Sequence, residues 1–374
     1  MKEPEINRNR LVEDFIRLVK IDSLTRSERL MALALRKDLQ ELGVEAIEDD
    51  AGQKIGSSCG NIIGVLAGTK KNARPIFFAA HMDRVTPGEG INPQVKDGMI
   101  TSDGTTILAA DDVAGMVSIL EALRVLREQK IPHGEVGVLF TISEEGGLHG
   151  AKNLDLSILP GEMGYVLDSG GEVGTIVVQA PSQVSLRAAF HGKAAHAGVN
   201  PEAGINALQA AATAVARMKL GRIDPETTAN IGIFWAGNAT NIICEEAELK
   251  GEARSLDAGK LEKQVDHMRE QLEKAAEEFK ATVEVTLTES YTTYHLTADD
   301  PVVALAVQAC EKLGLAPTLQ STGGGSDANV LNKRGRPTVV LGMGYENAHS
   351  KEERIAVDQL AKGAQLALSI IMEA

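Results

Sequence analysis

A chain of 374 residues, 43% of them hydrophobic and 24% charged, is long enough for two domains with their own cores and has the composition of a water-soluble globular protein. Its formal net charge of −14 speaks against nucleic acid or an anionic membrane as partner and suits the attraction of divalent cations. The three cysteines, Cys59, Cys244 and Cys310, are scattered, which excludes a disulfide framework or a Cys-rich zinc site. The opening MKEPEINRNRLVEDFIRLV lacks the apolar core of a secretory leader and no run reaches the length of a membrane span, so a cytoplasmic protein is expected.

In chain order, SERLMALALRKDLQEL reads as a helix capped by Ser27 and stopped by Gly43. NIIGVLAG (61–68) and PIFFAAH (75–81) are apolar runs of strand length, and DDVAGMVSILEALRVLREQK follows as a helix. GVLFTIS and GYVLD are further buried strands, and PTVVLGMG (337–344) is another. Apolar strands alternating with helices predict an α/β domain with a mostly parallel sheet. Between them the texture changes. VSLRAAFHG, the helix GINALQAAATAVARMKLG, NIGIFWAG, NIICEEAELKGEARSLD, the helix LEKQVDHMREQLEKAAEEFK and TVEVTLTES give the order strand–helix–strand–strand–helix–strand. That is the split βαβ pattern of a ferredoxin-like (βαββαβ) domain. The expected organisation is a main domain from residues 1–181 and 290–374, with the second domain inserted at 182–289.

In open α/β sheets ligands bind beyond the carboxyl ends of the strands. The polar residues there form one set. PIFFAA ends in His81-Met82-Asp83, GVLFTIS in Glu144-Glu145 and GYVL in Asp168, while PTVVLGMGYEN leads to His349 and DDVAG opens its helix with Asp111-Asp112. Histidine plus carboxylate without thiolate suits zinc, manganese or cobalt. Two glutamates side by side at the end of a buried strand repel and lose hydration. A division of labour accounts for both, one binding a metal while its neighbour stays free to accept a proton from water. Alone, the pair reads more readily as a solvated loop start; with His81 and Asp168 at equivalent strand ends it points to function.

Asp83 is spaced to orient His81 through its second ring nitrogen. Asp112 reads as readily as a helix cap as a ligand. His196, in GKAAHAGVNPEAG, has an ordinary loop histidine as its rival reading. His133, His149, His191, His267 and His295 read as structural or exposed. GGGSDAN (323–329) lacks the Lys-Ser/Thr of a phosphate loop and reads as a substrate-wall turn, with Gly325 its candidate contact.

HMDRVTPGEGINP, SDGTTILAADDVAG, TISEEGGLHGA, VLDSGG, HAGVNPEAGINA and GGGSDAN occur in the order seen in peptidase T-like di-zinc exopeptidases, a clan that includes carboxypeptidase G and the aminoacylases. The chain resembles this family over nearly its whole length. The resemblance implies that His81 and Asp168 hold one metal and Glu145 and His349 the other, with Asp111 bridging. It makes Glu144 the general base and acid, and Asp83 the residue that orients His81. It assigns His196, often reaching in from a partner subunit's lid, to the scissile carbonyl, and Asn241 and Arg254 to the substrate's backbone or carboxylate. The implied protein is a two-metal (most readily Zn²⁺, otherwise Mn²⁺ or Co²⁺) aminopeptidase for short peptides, tripeptides first, dimeric through its lid, with neither nucleic acid nor membrane as partner. An N-acyl amino acid amidohydrolase or carboxypeptidase of the same clan, and a metal-dependent peptide binder without turnover, are the alternatives. Retention of Glu144 argues against the binder. Two departures stand beside ligands: Val113 where lysine is common in DDKAG, and Arg84 where a threonine is usual.

Overall fold

The computed structural model describes residues 4–374 and divides into two units. The first comprises the described residues up to Val178 together with His295–Ser321 and Ser326–Ala374; the second comprises Gln179–Tyr294 and Thr322–Gly325. The second unit thus extends a few residues beyond 182–289 on each side and takes in part of the GGGSDAN turn.

The chain begins with α1 (Arg8–Val19), α2 (Arg29–Glu41), β1 (Glu45–Glu48), α3 (Ala51–Ile55), β2 (Ile62–Leu66) and β3 (Ile76–His81). It continues through β4 (Gln94–Lys96), β5 (Met99–Thr101), α4 (Ala110–Glu128), β6 (Val136–Thr141), α5 (His149–Asn153), β7 (Met163–Ser169) and β8 (Thr175–Ala180). Then come β9 (Ser182–His191), α6 (Ala207–Arg217), β10 (Gly221–Asp224), β11 (Thr227–Ala236), β12 (Glu246–Ser255), α7 (Ala258–Phe279) and β13 (Thr282–Tyr291). The last part holds β14 (Tyr294–His295), α8 (Pro301–Lys312), β15 (Thr318–Ser321), α9 (Asp327–Lys333), β16 (Thr338–Gly342), β17 (Tyr345–Glu346), β18 (Arg354–Ala356) and α10 (Val357–Glu373).

In the first unit the main sheet runs β1-β2-β6-β3-β7-β16-β8. Its centre is parallel (β6–β3, β3–β7 and β7–β16), while β1–β2, β2–β6 and β16–β8 pair antiparallel. Every residue of β3 and β6 is buried. Alternation explains how: Ile76, Phe78 and Ala80 join a core with α4 and α10 residues such as Leu120 and Leu368, while Phe77 and Ala79 are as deeply buried on the opposite face. Strands covered on both sides read as unbroken apolar runs, which is why they stand out in the sequence. A small antiparallel sheet, β17-β18-β5-β4, was not expected, because two- and three-residue strands carry no periodicity.

The second unit follows the predicted ferredoxin-like order. Its antiparallel sheet runs β10-β11-β12-β9-β13, and α6 and α7 share a core with it through Ala210, Ala214, Met268 and Leu272. The short β10 covers only the first residues of β11, and Ile233, Phe234 and Trp235 farther along β11 are exposed. One local expectation fails. Helix α2 begins after Glu28 and no side chain caps it, so Ser27 is not its cap. Gly43, at φ +67°, does follow its last turn, a left-handed position that favours glycine.

Candidate metal centre

Because β6, β3 and β7 are parallel neighbours, their carboxyl ends meet at one edge of the sheet. His81 is the last residue of β3, Asp168 lies at the end of β7, and Glu144-Glu145 follow β6. His81 Nε2 stands 3.0 Å from Asp111 Oδ1 and 3.7 Å from Asp168 Oδ1. On the other side, His349 Nε2 lies 3.3 Å from Asp111 Oδ2 and 2.7 Å from Glu145 Oε1. The two oxygens of Asp111 therefore face two different histidines. His81, Asp111 and Asp168 form one group able to hold a cation, Asp111, Glu145 and His349 another, and His81, Glu144 and Glu145 a third.

The donor set fits divalent metal ions. It is imidazole and carboxylate with no thiolate, and zinc–ligand bonds of about 2.0–2.2 Å put neighbouring donors roughly 3–3.5 Å apart. The tautomer also fits. His81 Nδ1 lies 2.9 Å from the main-chain oxygen of Asp83, which keeps the proton there and turns the Nε2 lone pair toward Asp111 and Asp168. Asp83 thus meets the ring with its carbonyl, its carboxylate being 3.6 Å away. That carboxylate instead accepts the Glu144 N–H at 2.9 Å and the Thr25 hydroxyl at 2.7 Å.

Metal-free, these groups distort one another's titration. Burial works against charge on His81, yet Asp168 and Asp111 raise its pKa well above the ordinary value. Hydrogen bonds with Asp111 and Glu145 push His349 up to about 10. Burial, then the neighbouring Asp111, lifts Asp168 to about 7. Burial also opposes ionisation of Asp111, but its bonds to both histidines hold its carboxyl below the usual range. Glu144 is raised well above an ordinary glutamate, by burial first and by Asp168 second.

The regular part of α4 starts only at Val113, since Asp111 and Asp112 have non-helical backbone angles; the peptide between them is cis. Asp112 caps the helix by accepting the Gly115 N–H at 3.1 Å, and its other oxygen accepts the His81 N–H at 3.1 Å. Capping is thus its role here, with a tie to β3 added. A Cβ on Gly115 would lie 2.4 Å from the Asp112 carboxylate and 2.6 Å from the Leu167 carbonyl, so DDVAG admits no side chain at its glycine. Val113 simply joins the core. Arg84 is buried and donates to the Val19 carbonyl at the end of α1 at 2.8 Å; burial lowers its pKa to about 10. Neither departure faces the donor atoms.

Sequence reasoning missed two supports. Glu353 accepts the N–H groups of Leu108, Ala109 and Asp111 at 2.8–3.0 Å and so fixes the loop that presents Asp111. Tyr345 places its hydroxyl 3.3 Å from Asp168. Within SKEERIAVD, Glu353 looks like part of a solvated charge run, and no local signal marks it.

Four candidates belong to the second unit. His196 is exposed, and its Nδ1 accepts the Gly198 N–H at 3.1 Å. Asn241 is exposed, and its carbonyl holds the Ala197 N–H. The Arg254 guanidinium is already engaged by both Glu252 oxygens, at 2.8 and 3.1 Å. Gly325 packs so closely on Tyr291 that a Cβ would lie 2.2 Å from the ring.

The sequence matches the model of Peptidase family M20/M25/M40 over residues 77–373. The structure is similar to that of the aminopeptidase PepT from Bacillus cereus ATCC 10987 (49% identity, 98% of this chain and 99% of that one, TM-score 0.89). It is also similar to a tripeptidase from Staphylococcus aureus subsp. aureus Mu50 (41% identity, 98% of each chain, TM-score 0.93). The uncharacterized protein YqjE of Bacillus subtilis strain 168 is 46% identical over 99% of each chain. The chain belongs to the M20/M25/M40 family and is a peptidase of the PepT-like kind.

Proposed function

We propose that this M20-family peptidase is a two-metal aminopeptidase that removes the N-terminal residue from short peptides, tripeptides first. The observation that carries the reading is the Asp111 carboxylate, with one oxygen 3.0 Å from His81 Nε2 and the other 3.3 Å from His349 Nε2. A carboxylate so flanked is built to be shared. His81 and Asp168 would hold one ion, Glu145 and His349 the second, and Asp111 both; zinc is the first choice, manganese or cobalt the others. Such ions polarise a carbonyl and lower the pKa of water to about 7.

Glu144 takes the proton of the attacking water and hands it to the leaving amine nitrogen. Asp83 fixes the His81 ring through its carbonyl and the Glu144 main chain through its carboxylate. His196, accepting a hydrogen bond at Nδ1, carries its neutral-form proton on Nε2, as donation to a developing oxyanion requires. Asn241, Arg254 and Gly325 are assigned to substrate contacts; Arg254 must share itself with Glu252 to receive a carboxylate.

We further assign the chain to a cytoplasmic homodimer joined through the second unit. Ile233, Phe234 and Trp235 expose apolar surface where β10 leaves β11 uncovered, and a free strand edge is ordinarily paired or protected. Among the described residues no helix is long and apolar enough to cross a membrane. The test is product identification by mass spectrometry after incubation with di- and tripeptides and N-acyl amino acids, with zinc, manganese or cobalt added. Release of N-terminal residues from tripeptides is expected. Preferential deacylation, or release of C-terminal residues, would replace this reading with the amidohydrolase or carboxypeptidase alternative.

A further inference from the structure

We propose that Glu28 is a positioning residue which, with Asp83, sets where the Glu144 carboxylate stands. The inference rests on Glu144 being the general base. Glu28 is fully buried, and buried carboxylates persist only where their oxygens are satisfied. Here backbone and hydroxyl donors satisfy them. Its Oε1 accepts the Ser143 N–H at 3.0 Å, the Ser143 hydroxyl at 3.1 Å and the Arg26 N–H at 2.8 Å, while Oε2 accepts the Ser57 hydroxyl at 2.8 Å.

The geometry around Ser143 makes this a clamp. Ser143 sits at φ +50°, a left-handed conformation that costs a non-glycine residue free energy and persists when its surroundings impose it. The successive N–H groups of Ser143 and Glu144 are received by two different carboxylates, Glu28 and Asp83. Beyond the pair, the Glu144 carbonyl accepts the N–H groups of Gly147 and Leu148, both at 2.8 Å, closing the turn on itself. At the start of the turn the two carboxylates thus hold the main-chain N–H groups of both Ser143 and Glu144.

Both carboxylates are held by one segment, the link between α1 and α2. Thr25 bonds Asp83 at 2.7 Å, and Glu28 stands three residues later in the sequence. The link is itself fastened to the end of β3, where the Ser23 hydroxyl donates to the Met82 carbonyl at 2.7 Å and the Arg84 N–H donates to Ser23 at 3.0 Å. A base must stand within hydrogen-bond reach of the proton it takes, and a misplacement of about 1 Å costs roughly 10²-fold in rate. Glu28 bonds no candidate ligand, so its influence passes through the backbone of Ser143.

The test uses the metal-loaded enzyme on a tripeptide. Glu28→Ala is expected to lower kcat by roughly 10²-fold while KM and metal content stay near wild type. Glu28→Gln, which keeps the shape and one acceptor oxygen, is expected to recover most of that loss, and it carries the test if the alanine variant does not fold: kcat then falls less, with KM and metal content still unchanged. In a Glu144→Gln background Glu28→Ala should cost nothing more, because residues acting as one unit are not additive. Independently of activity, the Ser143 amide should exchange with solvent faster in Glu28→Ala than in wild type, with and without metal, while amides of β3 and β6 keep their protection. Wild-type kcat in Glu28→Ala, an equal further loss in the Glu144→Gln background, or loss of metal would overturn the proposal. If Glu144→Gln itself turns over at the wild-type rate, the general-base reading fails instead.

Discussion

In the first unit β3 and β6 are buried at every residue, whereas β13 in the second alternates exposed and half-buried positions along most of its length. Both sheets carry charged groups nearby but accommodate them differently. A strand covered on both faces can show polar atoms only at its ends, so the first unit gathers His81, Asp168 and the Glu144-Glu145 pair at one edge. There buried residues brace the site: Asp83 holds His81 and Glu144, Asp112 holds His81, and Glu353 holds Asp111. The second unit spreads its charges over solvent-facing pairs such as Arg187–Glu248 and Arg217–Glu278, where water does most of the work. Substitution should therefore act through chemistry and metal at the first unit's edge and hardly at all on the second unit's open face.

The largest effect is expected at the glutamate pair. Glu144→Gln should leave metal content near wild type and reduce kcat by at least ~10²–10⁴-fold, the usual worth of a general acid–base group. Glu145→Gln should lose metal instead, and elemental analysis with the opposite pattern would exchange the two roles. Next comes the shared carboxylate. Asp111→Ala should deplete both ions, while His349→Ala chiefly weakens one; two ions bound to Asp111→Ala with unchanged affinity would end the bridging assignment.

A third test bears on the second unit's one expected contribution to chemistry. Inactive His196→Ala and inactive Glu144→Gln subunits, mixed and exchanged, should regain part of the activity if His196 completes a neighbouring site. A monomer that is fully active in light scattering and assay, or verified exchange without rescue, counts against it. Smaller again is a proton signal. In the metal-free protein His349 is raised from its ordinary 6.5 to about 10, so between those pH values it keeps a proton that a metal ligand must give up. Metal uptake at pH 8 should release protons, and affinity should rise with pH across that window. Calorimetric heats that do not depend on the buffer's ionisation enthalpy would contradict this. The smallest effect is expected for Arg187→Ala on the open sheet, whose melting temperature should match wild type within about 2 °C.

How much of this is legible in the sequence follows the same division. Buried strands announce themselves as apolar runs, and reading the residue after each run leads to His81, Glu144-Glu145 and Asp168. His349 also follows from such a run, though it arrives through a turn and the short β17. The alternating strands and amphipathic helices of the second unit give its order. Roles are another matter: nothing local separates Glu144 from Glu145, and His196, Asn241 and Arg254 come forward only through the family resemblance. The supports are invisible for a physical reason. Glu28 and Glu353 bond residues 115 and more than 240 positions away, so neither shows a local pattern. The misread cap at Ser27 has the same origin, since the Glu28 side chain at the start of α2 is held by Ser143 and Ser57 instead of serving the helix.

The position of β16 bears on how the polypeptide is made. It lies between β7 and β8, strands that are adjacent in the chain, and pairs parallel with one and antiparallel with the other. On the ribosome, β7 and β8 emerge long before the strand that separates them. Until residues 338–342 arrive, the nascent sheet keeps an unfilled slot with two bare edges, the kind of surface that recruits other chains. His349 and Glu353 emerge later still, so both the histidine proposed for the second ion and the brace of Asp111 arrive after β16. The candidate metal centre therefore cannot be completed by the folding of the first half of the chain; it waits for the segment that carries β16, His349 and Glu353.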